Sequence, residues 1–174
     1  DATLEEERRR MRRAIIHTSA MDERDAFLRV RDEGHRVTMT YKEFANDSVD
    51  GAKEHEIVVS DFDETLKLLA AAGLQYDAYQ ETYRENWRFG DVEIMLDEWP
   101  WLDPFIEIEG PDENSIRIAA EVLGLDWQKA VFGGVANAYA EQYPHIGDEG
   151  KREINKWRTI KFEDAPPVLL ANEV

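Results

Sequence analysis

Hydrophobic and polar residues alternate along several short segments of this chain, and a period of two is typical of β-strands with two different faces. The clearest example runs from Ala26 to Phe44 and contains Gly34, so it predicts a β-hairpin with the two-residue loop Glu33-Gly34. This loop would pair Arg31 with Arg36 and Arg29 with Thr38. The apolar face of the hairpin carries Leu28, Val30, Val37, Met39 and Tyr41. The opposite face, here called the basic face, carries Arg29, Arg31, Arg36, Thr38, Thr40 and Lys42.

Three later segments have the same two-faced pattern, with acidic rather than basic polar residues. Their apolar positions are Ile57 and Val59, then Val92, Ile94 and Leu96, then Ile106 and Ile108. Their other faces carry Glu54 and Glu56, then Glu93, Met95 and Asp97, then Glu107 and Glu109. A further strand around residues 79–88 places Tyr79, Tyr83 and Trp87 opposite Arg84, Asn86 and Arg88. Residues 8–18 also favour a strand, but the period leaves its faces unassigned.

Helical spacing separates these strands. Residues 60–73 predict a helix with Ser60 as N-cap and Gly73 as its end, and residues 110–124 predict a second helix. A third helix is predicted from Asp126 to Pro144, with an interruption at Gly133-Gly134 left open. After Gly147 the pattern is weak and predicts an extended tail. We therefore expect one α+β domain over residues 1–146, with residues 147–174 packed on it as the tail.

Composition narrows the classes of function. The 174 residues carry a formal net charge of -17, and the mean field around such a chain repels phosphate, which argues against nucleic-acid and membrane partners. No run of apolar residues approaches the roughly 20 needed to span a membrane. The chain contains no cysteine, which excludes disulfides and thiolate metal sites and fits the predicted cytoplasmic location. An anion bound by this chain must therefore be held by a local cluster of cations.

The charged strand faces allow two interpretations. A strand with one charged face usually exposes that face to water. In the alternative, an antiparallel sheet curls into a barrel with helices packed outside and the charged faces turned inward. The basic residues of such a tunnel would be Arg29, Arg31, Arg36, Lys42 and Arg84, facing the acidic residues Glu54, Glu56, Asp97, Glu107 and Glu109. Arginine forks suit a polyphosphate, and carboxylates suit Mg²⁺ or Mn²⁺.

Several stretches of the chain resemble the CYTH superfamily, the triphosphate tunnel metalloenzymes. They are "FLRVR…TYKEF", "EHEIVVSD", "LLAAAGL", "VEIMLDEWPWLDPFIEIEG" and "LGLDW", in the expected order between Ala2 and Ile146. The resemblance implies an antiparallel tunnel barrel that binds a triphosphate with a divalent metal ion, and a homodimer is a family-level expectation. It implies phosphate-binding roles for Arg29, Arg31, Lys42 and Arg84. It implies metal binding by Glu107 and Glu109, with Asp97, Glu54 and Glu56 as the remaining acidic lining.

One family feature is not visible in this sequence. The Glu-x-Glu-x-Lys signature of the family's first strand, and the helix after it, have no clear counterpart. Glu5, Glu7 and Arg9 have the right spacing, with Arg in place of Lys, but they lead directly into the second-strand pattern. Two explanations stay open: this segment lies upstream of Asp1, or the protein lacks it and binds its ligand without turnover.

The resemblance favours hydrolysis of inorganic or organic triphosphates, in which the cationic array holds the phosphates and metal ions neutralise developing charge. Conversion of ATP to cyclic AMP and pyrophosphate is the first alternative. A non-catalytic module that binds triphosphates or nucleotides is the second, and an acidic interaction domain without a ligand is the last. The sequence assigns no residue to the chemical step itself.

Overall fold

The computed structural model describes residues 2–44 and 52–171 of the chain and has the α+β composition that the sequence predicts. The strands are β1 Thr3–Ile16, β2 Ala26–Asp32, β3 Val37–Phe44, β4 Ala52–Val59, β5 Ala78–Phe89, β6 Val92–Glu98, β7 Phe105–Glu109 and β8 Thr159–Ile160. The helices are α1 Ser19–Asp22, α2 Phe62–Ala71, α3 Glu113–Val122, α4 Val135–Gln142 and α5 Gly147–Ile154. Three short 3-10 turns lie at Trp127–Lys129, Pro144–Ile146 and Val168–Leu170.

The strands pair in the order β4-β3-β2-β1-β5-β6-β7, and β8 adds to β5 in parallel. The pairs of β1 with β2, β2 with β3, β3 with β4, β5 with β6, and β6 with β7 are antiparallel. The order has two ends, β4 and β7. The antiparallel sheet is therefore confirmed, whereas its closure into a tunnel by strand pairing is not seen in this order.

The chain divides into two compact units, and β1 and β5 contribute to both. The hairpin unit comprises Arg10–Glu81 with Arg158–Ile160, and the carboxylate unit comprises Asp1–Arg9, Thr82–Trp157 and Lys161–Val174. Among the described helices, none has the length and hydrophobicity needed to cross a membrane.

In the hairpin unit, α2 packs on the apolar face of β1 and β2. The buried core there consists of Ala14, Ile16, Leu28, Val30, Phe62 and Leu69. In the carboxylate unit, α3 covers the apolar face of β6, where Ala119 packs with Val92 and Ile94. Helices α2 and α3 thus cover the apolar faces of these strands, and the charged faces are left for other contacts.

Helix α2 begins one residue later than the sequence predicts. Its N-cap is Asp61 rather than Ser60, and the Asp61 carboxylate accepts a hydrogen bond from the Glu64 amide at 2.8 Å. The predicted end is confirmed: Gly73 has a φ of +86°, a left-handed conformation that glycine adopts without steric cost.

The register of the β2–β3 hairpin differs from the prediction. Asp32 pairs with Val37, so residues 33–36 form the loop, and Arg29 pairs with Thr40 instead of Thr38. Within the loop, the Glu33 amide donates to the Arg36 carbonyl at 2.9 Å. Arg36 therefore lies in the loop and not in the strand. The shift of two residues keeps every other side chain on its predicted face, because side chains alternate with a period of two.

The faces of β1 could not be assigned from the sequence, and its burial pattern gives the reason. The buried residues are Met11 at an odd position and Ala14 and Ile16 at even positions, so the buried side changes along the strand. A single period of two cannot describe such a strand.

The region after Asp126 also differs from the prediction. The third predicted helix is a 3-10 turn followed by α4, and the break falls at Gly133, whose φ is +99°. The tail contains helix α5 where an extended chain was predicted. In α5 the acidic Asp148 and Glu149 precede Lys151 and Arg152, an order that suits the helix dipole. The limits of domain and tail at residue 146 stay a prediction.

Replacing a buried and an exposed isoleucine in the hairpin unit should lower the free energy of unfolding by different amounts. Ile16 is fully buried, so Ile16→Ala should lower the free energy of unfolding by about 2–5 kcal/mol. Ile57 on β4 is 55% exposed, so the matched Ile57→Ala change should cost no more than about 0.5 kcal/mol. Urea unfolding followed by circular dichroism measures both values. Equal losses for the two variants would contradict the assigned core.

Candidate functional site

The basic face of the β2–β3 hairpin is assembled by strand pairing within the hairpin unit. Arg31 lies opposite Thr38, and Arg29 lies opposite Thr40. Both threonines are buried, with exposures of 0% and 1%. The basic face is therefore turned away from water at its centre, whereas the polar side of an antiparallel sheet usually faces water.

Three buried polar atoms on the basic face have no hydrogen-bond partner among the described residues. They are Nε of Arg29, Nε of Arg31 and Oγ1 of Thr38. Buried polar groups are almost always satisfied, and leaving one without a partner costs roughly 1–3 kcal/mol. All three atoms lie on neighbouring positions of one hairpin, so this unsatisfied hydrogen-bonding capacity is concentrated in one place.

Arg29 is the most exceptional cation of this group. It forms no ion pair with the described residues, whereas Arg31 and Arg36 both do. Burial, followed by the positive charge of Arg31, lowers the pKa of Arg29, although Glu54 and Glu56 act in the opposite direction. The guanidinium still remains charged near neutral pH, so it is a half-buried cation, with its Nε fully buried, that an anion would stabilise.

Arg31 and Arg36 are joined by Glu33, a residue that the sequence analysis assigned only to the turn. Glu33 is 4% exposed, and its two carboxylate oxygens lie 2.5 Å from Nη2 of Arg31 and 2.5 Å from Nε of Arg36. Burial alone would raise the pKa of Glu33, but the hydrogen bond from Arg36 and the positive charge of Arg31 lower it below the ordinary value. No period-of-two argument could have found this contact, because Glu33 lies in the loop.

The acidic residues of β4 lie beside the basic face, on the strand that pairs with β3. Glu54 pairs with Lys42, and Glu56 pairs with Thr40. The Thr40 hydroxyl donates to the Glu56 carboxylate at 2.7 Å, and the Lys42 ammonium lies 3.8 Å from the Glu54 carboxylate. In this structure both carboxylates serve as partners of the basic face.

Arg13 is a further cation that the sequence analysis did not assign, because the faces of β1 were ambiguous. It lies directly opposite Arg31, on the same side of the sheet, and its Nε donates to the Gln80 side chain at 2.5 Å. The pairing of β1 with β2, which places Arg13 beside Arg31, is what identifies it. Arg13 therefore extends the basic face onto the neighbouring strand.

A second group, the carboxylate cluster, lies in the carboxylate unit and contains Asp97, Glu107 and Glu109 around Arg84. Arg84 donates to both Asp97 oxygens at 2.6 Å and to Glu107 at 2.6 Å. Asp97 is only 2% exposed, whereas Leu96 on the opposite face of β6 is 39% exposed. The charged face of β6 is thus buried at Asp97, although its apolar face is also buried at Val92 and Ile94.

The pKa values in this cluster are set by burial and by crowding of like charges. Burial raises the pKa of Glu107 above its ordinary value, and the charges of Asp97 and Glu109 add to the effect. Burial would lower the pKa of Arg84, but its bonds to Asp97 and the charge of Glu107 raise it. Arg84 is therefore the cation that stabilises the cluster, and it is engaged with carboxylates rather than open to phosphate.

The carboxylates of both groups do not form a metal site in this arrangement. The described part of the chain contains no group of three or more histidine, aspartate or glutamate side chains arranged to hold a metal ion. Arg84 occupies the oxygens of Asp97 and Glu107 that a metal would need. As arranged here, the predicted ligands Glu107, Glu109, Asp97, Glu54 and Glu56 do not form a metal site, and a lumen shared by the two groups stays a prediction.

The candidate substitute for the family signature lies on the first half of β1. Glu5 is paired with Arg88 at 3.0 Å, Arg9 contacts Asn86 at 3.1 Å, and Glu7 is exposed. Glu5 and Arg9 therefore have local partners in the carboxylate unit, and these contacts do not support the substitute.

Comparison with known proteins places these observations in a family. The family model of the CYTH domain matches residues 4–127. A conserved hypothetical protein from Pyrococcus furiosus has a TM-score of 0.54 and 18% identity, over 72% of this chain and 80% of that one. A Pyrococcus horikoshii OT3 protein has a TM-score of 0.56 and 19% identity, over 73% and 79%. A comparison with curated proteins gave no match.

A Vibrio parahaemolyticus protein described as a candidate adenylate cyclase is also similar in structure. Its TM-score is 0.50 and its identity 15%, over 71% of each chain. At these identities the solved structures show a shared fold, and the family model shows shared sequence features.

The pairing of Glu33 predicts a pH-dependent contribution to stability. Because the folded-state pKa of Glu33 is depressed, its contribution is present above the ordinary value of 4.5 and is lost as the pH falls through the folded-state pKa. Glu33→Gln should therefore be less stable than the parent protein at pH 7, by about 1–3 kcal/mol. This difference should shrink below pH 4.5. Urea unfolding at several pH values measures it, and a difference independent of pH would refute the assignment.

Proposed function

This chain belongs to the CYTH domain family, and from that premise we propose that it binds a triphosphate-containing small molecule on its basic face and hydrolyses a phosphoanhydride bond of that ligand. Members of the family bind triphosphate or nucleotide substrates and are generally metal-dependent. The binding step of the proposal is supported by the geometry of the hairpin unit, and the hydrolytic step is supported by family membership.

The observation that carries the proposal is the set of three buried polar atoms without partners, on Arg29, Arg31 and Thr38. Phosphate oxygens are acceptors, and all three atoms are able to donate a hydrogen bond. Guanidinium groups also match phosphate oxygens in charge and in their forked shape. An uncharged ligand would leave the half-buried Arg29 without a counter-charge.

The surrounding residues add charge and orientation. Lys42, Arg36 and Arg13 would supply further cationic contacts to the phosphate chain, since each lies on or beside the basic face. A protein of net charge -17 repels free polyphosphate on average, so this local array has to provide the attraction. Binding should therefore weaken strongly as the salt concentration rises.

The carboxylates that the family resemblance assigns to metal binding do not fit that role as they are arranged here, because Arg84 engages Asp97 and Glu107. We therefore derive no catalytic step through a metal, and assays should be run with Mg²⁺, with Mn²⁺ and with a chelator. A cytoplasmic location and a homodimer stay predictions.

Cyclisation of ATP is the second candidate, and the similarity to the Vibrio parahaemolyticus protein described as a candidate adenylate cyclase favours it. Both reactions start from a bound triphosphate and differ in the phosphorus atom that is attacked. The products separate them: hydrolysis releases orthophosphate from triphosphate, whereas cyclisation yields pyrophosphate and cyclic AMP from ATP.

Calorimetric titration with inorganic triphosphate in a chelating buffer tests the binding step. The parent protein should bind, and Arg29→Met should weaken binding by about 10- to 100-fold, the equivalent of losing one charged hydrogen bond of about 1.5–3 kcal/mol. Arg152→Met removes the same charge from an exposed position on α5 and should change affinity less than twofold. No binding by the parent protein, or equal effects of the two variants, would overturn the proposed site.

Product analysis with inorganic triphosphate, ATP and thiamine triphosphate then tests the chemical step. Orthophosphate release that depends on Arg29 supports hydrolysis. Formation of cyclic AMP from ATP would instead support cyclisation, the second candidate. Tight binding without any product, with either divalent ion, would show a non-catalytic binding module instead.

A further inference from the structure

The buried carboxylate of Glu33 has a special place beside the basic face. It comes directly after β2, which carries Arg29 and Arg31, and it bridges Arg31 and Arg36 across the hairpin loop. Its exposure of 4% is unusual, because glutamate is almost never fully buried unless it is paired. A glutamate that merely formed the loop would have no physical reason to be buried between two arginines.

We propose that Glu33 is the positioning residue of the basic face, which fixes the guanidinium of Arg31 in the orientation that receives a phosphate group. This inference rests on the proposed function and adds to it the residue that pre-organises the phosphate-binding cations. Glu33 itself has no contact with the ligand.

The geometry supports positioning in two ways. Glu33 takes one terminal nitrogen of Arg31, Nη2, and leaves Nε of Arg31 buried without a partner among the described residues. Its negative charge also offsets a group of crowded positive charges. Arg29 and Arg31 lie on the same face of β2, and Arg13 on β1 lies directly opposite Arg31. Without the carboxylate, mutual repulsion would drive the long arginine side chain toward other rotamers.

Holding a long side chain in its bound orientation increases affinity, because less rotamer freedom is lost on binding. Simple charge considerations predict the opposite effect of Glu33. A negative charge close to a phosphate site repels the ligand, so its removal by itself would tighten binding. The two views of Glu33 therefore predict changes of affinity in opposite directions, and one titration separates them.

The test is calorimetric titration of inorganic triphosphate into the full chain, in chelating buffer at pH 7 and constant ionic strength. Glu33→Gln keeps the shape and removes the charge, and we expect its affinity to fall about tenfold, as for other residues that orient a ligand-binding group. Glu33→Asp keeps the charge and should lie between the parent protein and Glu33→Gln. The matched control is Glu43→Gln, which removes a carboxylate from β3 on the opposite face and should change affinity less than twofold.

A double-mutant cycle with Arg31→Met distinguishes positioning of Arg31 from a general structural role of Glu33. The quantity compared is the effect of Glu33→Gln on triphosphate affinity with and without Arg31. If Glu33 acts through Arg31, adding Glu33→Gln to the Arg31→Met background should change the affinity less than twofold. Unfolding curves of every variant verify that the folded state is titrated, and Glu33→Asp carries the test if Glu33→Gln fails to fold.

The outcomes separate this inference from the proposed function. Absence of triphosphate binding by the parent protein overturns the proposed function and this inference with it. Binding by the parent, with equal or tighter binding by Glu33→Gln, leaves the function standing and overturns positioning. A tenfold loss that persists in the Arg31→Met background overturns the pathway through Arg31.

Discussion

A charge that leaves water has to be paired, and this requirement governs both units of the structure. In the carboxylate unit, Arg84 forms ion pairs with Asp97 and Glu107, so the buried carboxylate of Asp97 on β6 has a counter-charge. In the hairpin unit, Glu33 performs the same task for two arginines. Against this background Arg29 is the exception, since none of the described residues forms an ion pair with it, and this exception is the basis of the proposed phosphate site.

The position of the helices explains why the charged faces are available at all. Helix α2 packs on the apolar side of β1 and β2, and α3 packs on the apolar side of β6. A sheet covered in this way has only its polar side left for recognition. The same hydrophobic contacts that stabilise the strands therefore set the direction in which Arg29 and Arg31 point. Stability depends on one face of β2, and the proposed binding depends on the other.

Comparison of the predicted and observed hairpins shows which sequence signals are robust. The loop was predicted with two residues and has four, yet Arg29 and Arg31 stay on the predicted face because an error of two residues preserves the alternation. Predictions that depend on the loop itself were wrong or missing. Arg36 lies in the loop and not in the strand, and the contacts of Glu33 were not predicted. On β1 the change of buried side between Met11 and Ala14 hid Arg13 altogether.

The sequence by itself determined the α+β class, the strands and their two faces, and the identity of Arg29, Arg31 and the acidic residues as unusual, because these follow from local periodicity. Tertiary structure decided which charges meet. The salt bridges of Arg84 join residues 13 and 23 positions apart, and the contact of Arg13 with Gln80 spans 67 positions. No local pattern encodes such pairings, since they arise only when strands distant in sequence are placed side by side and buried charges select the nearest partner.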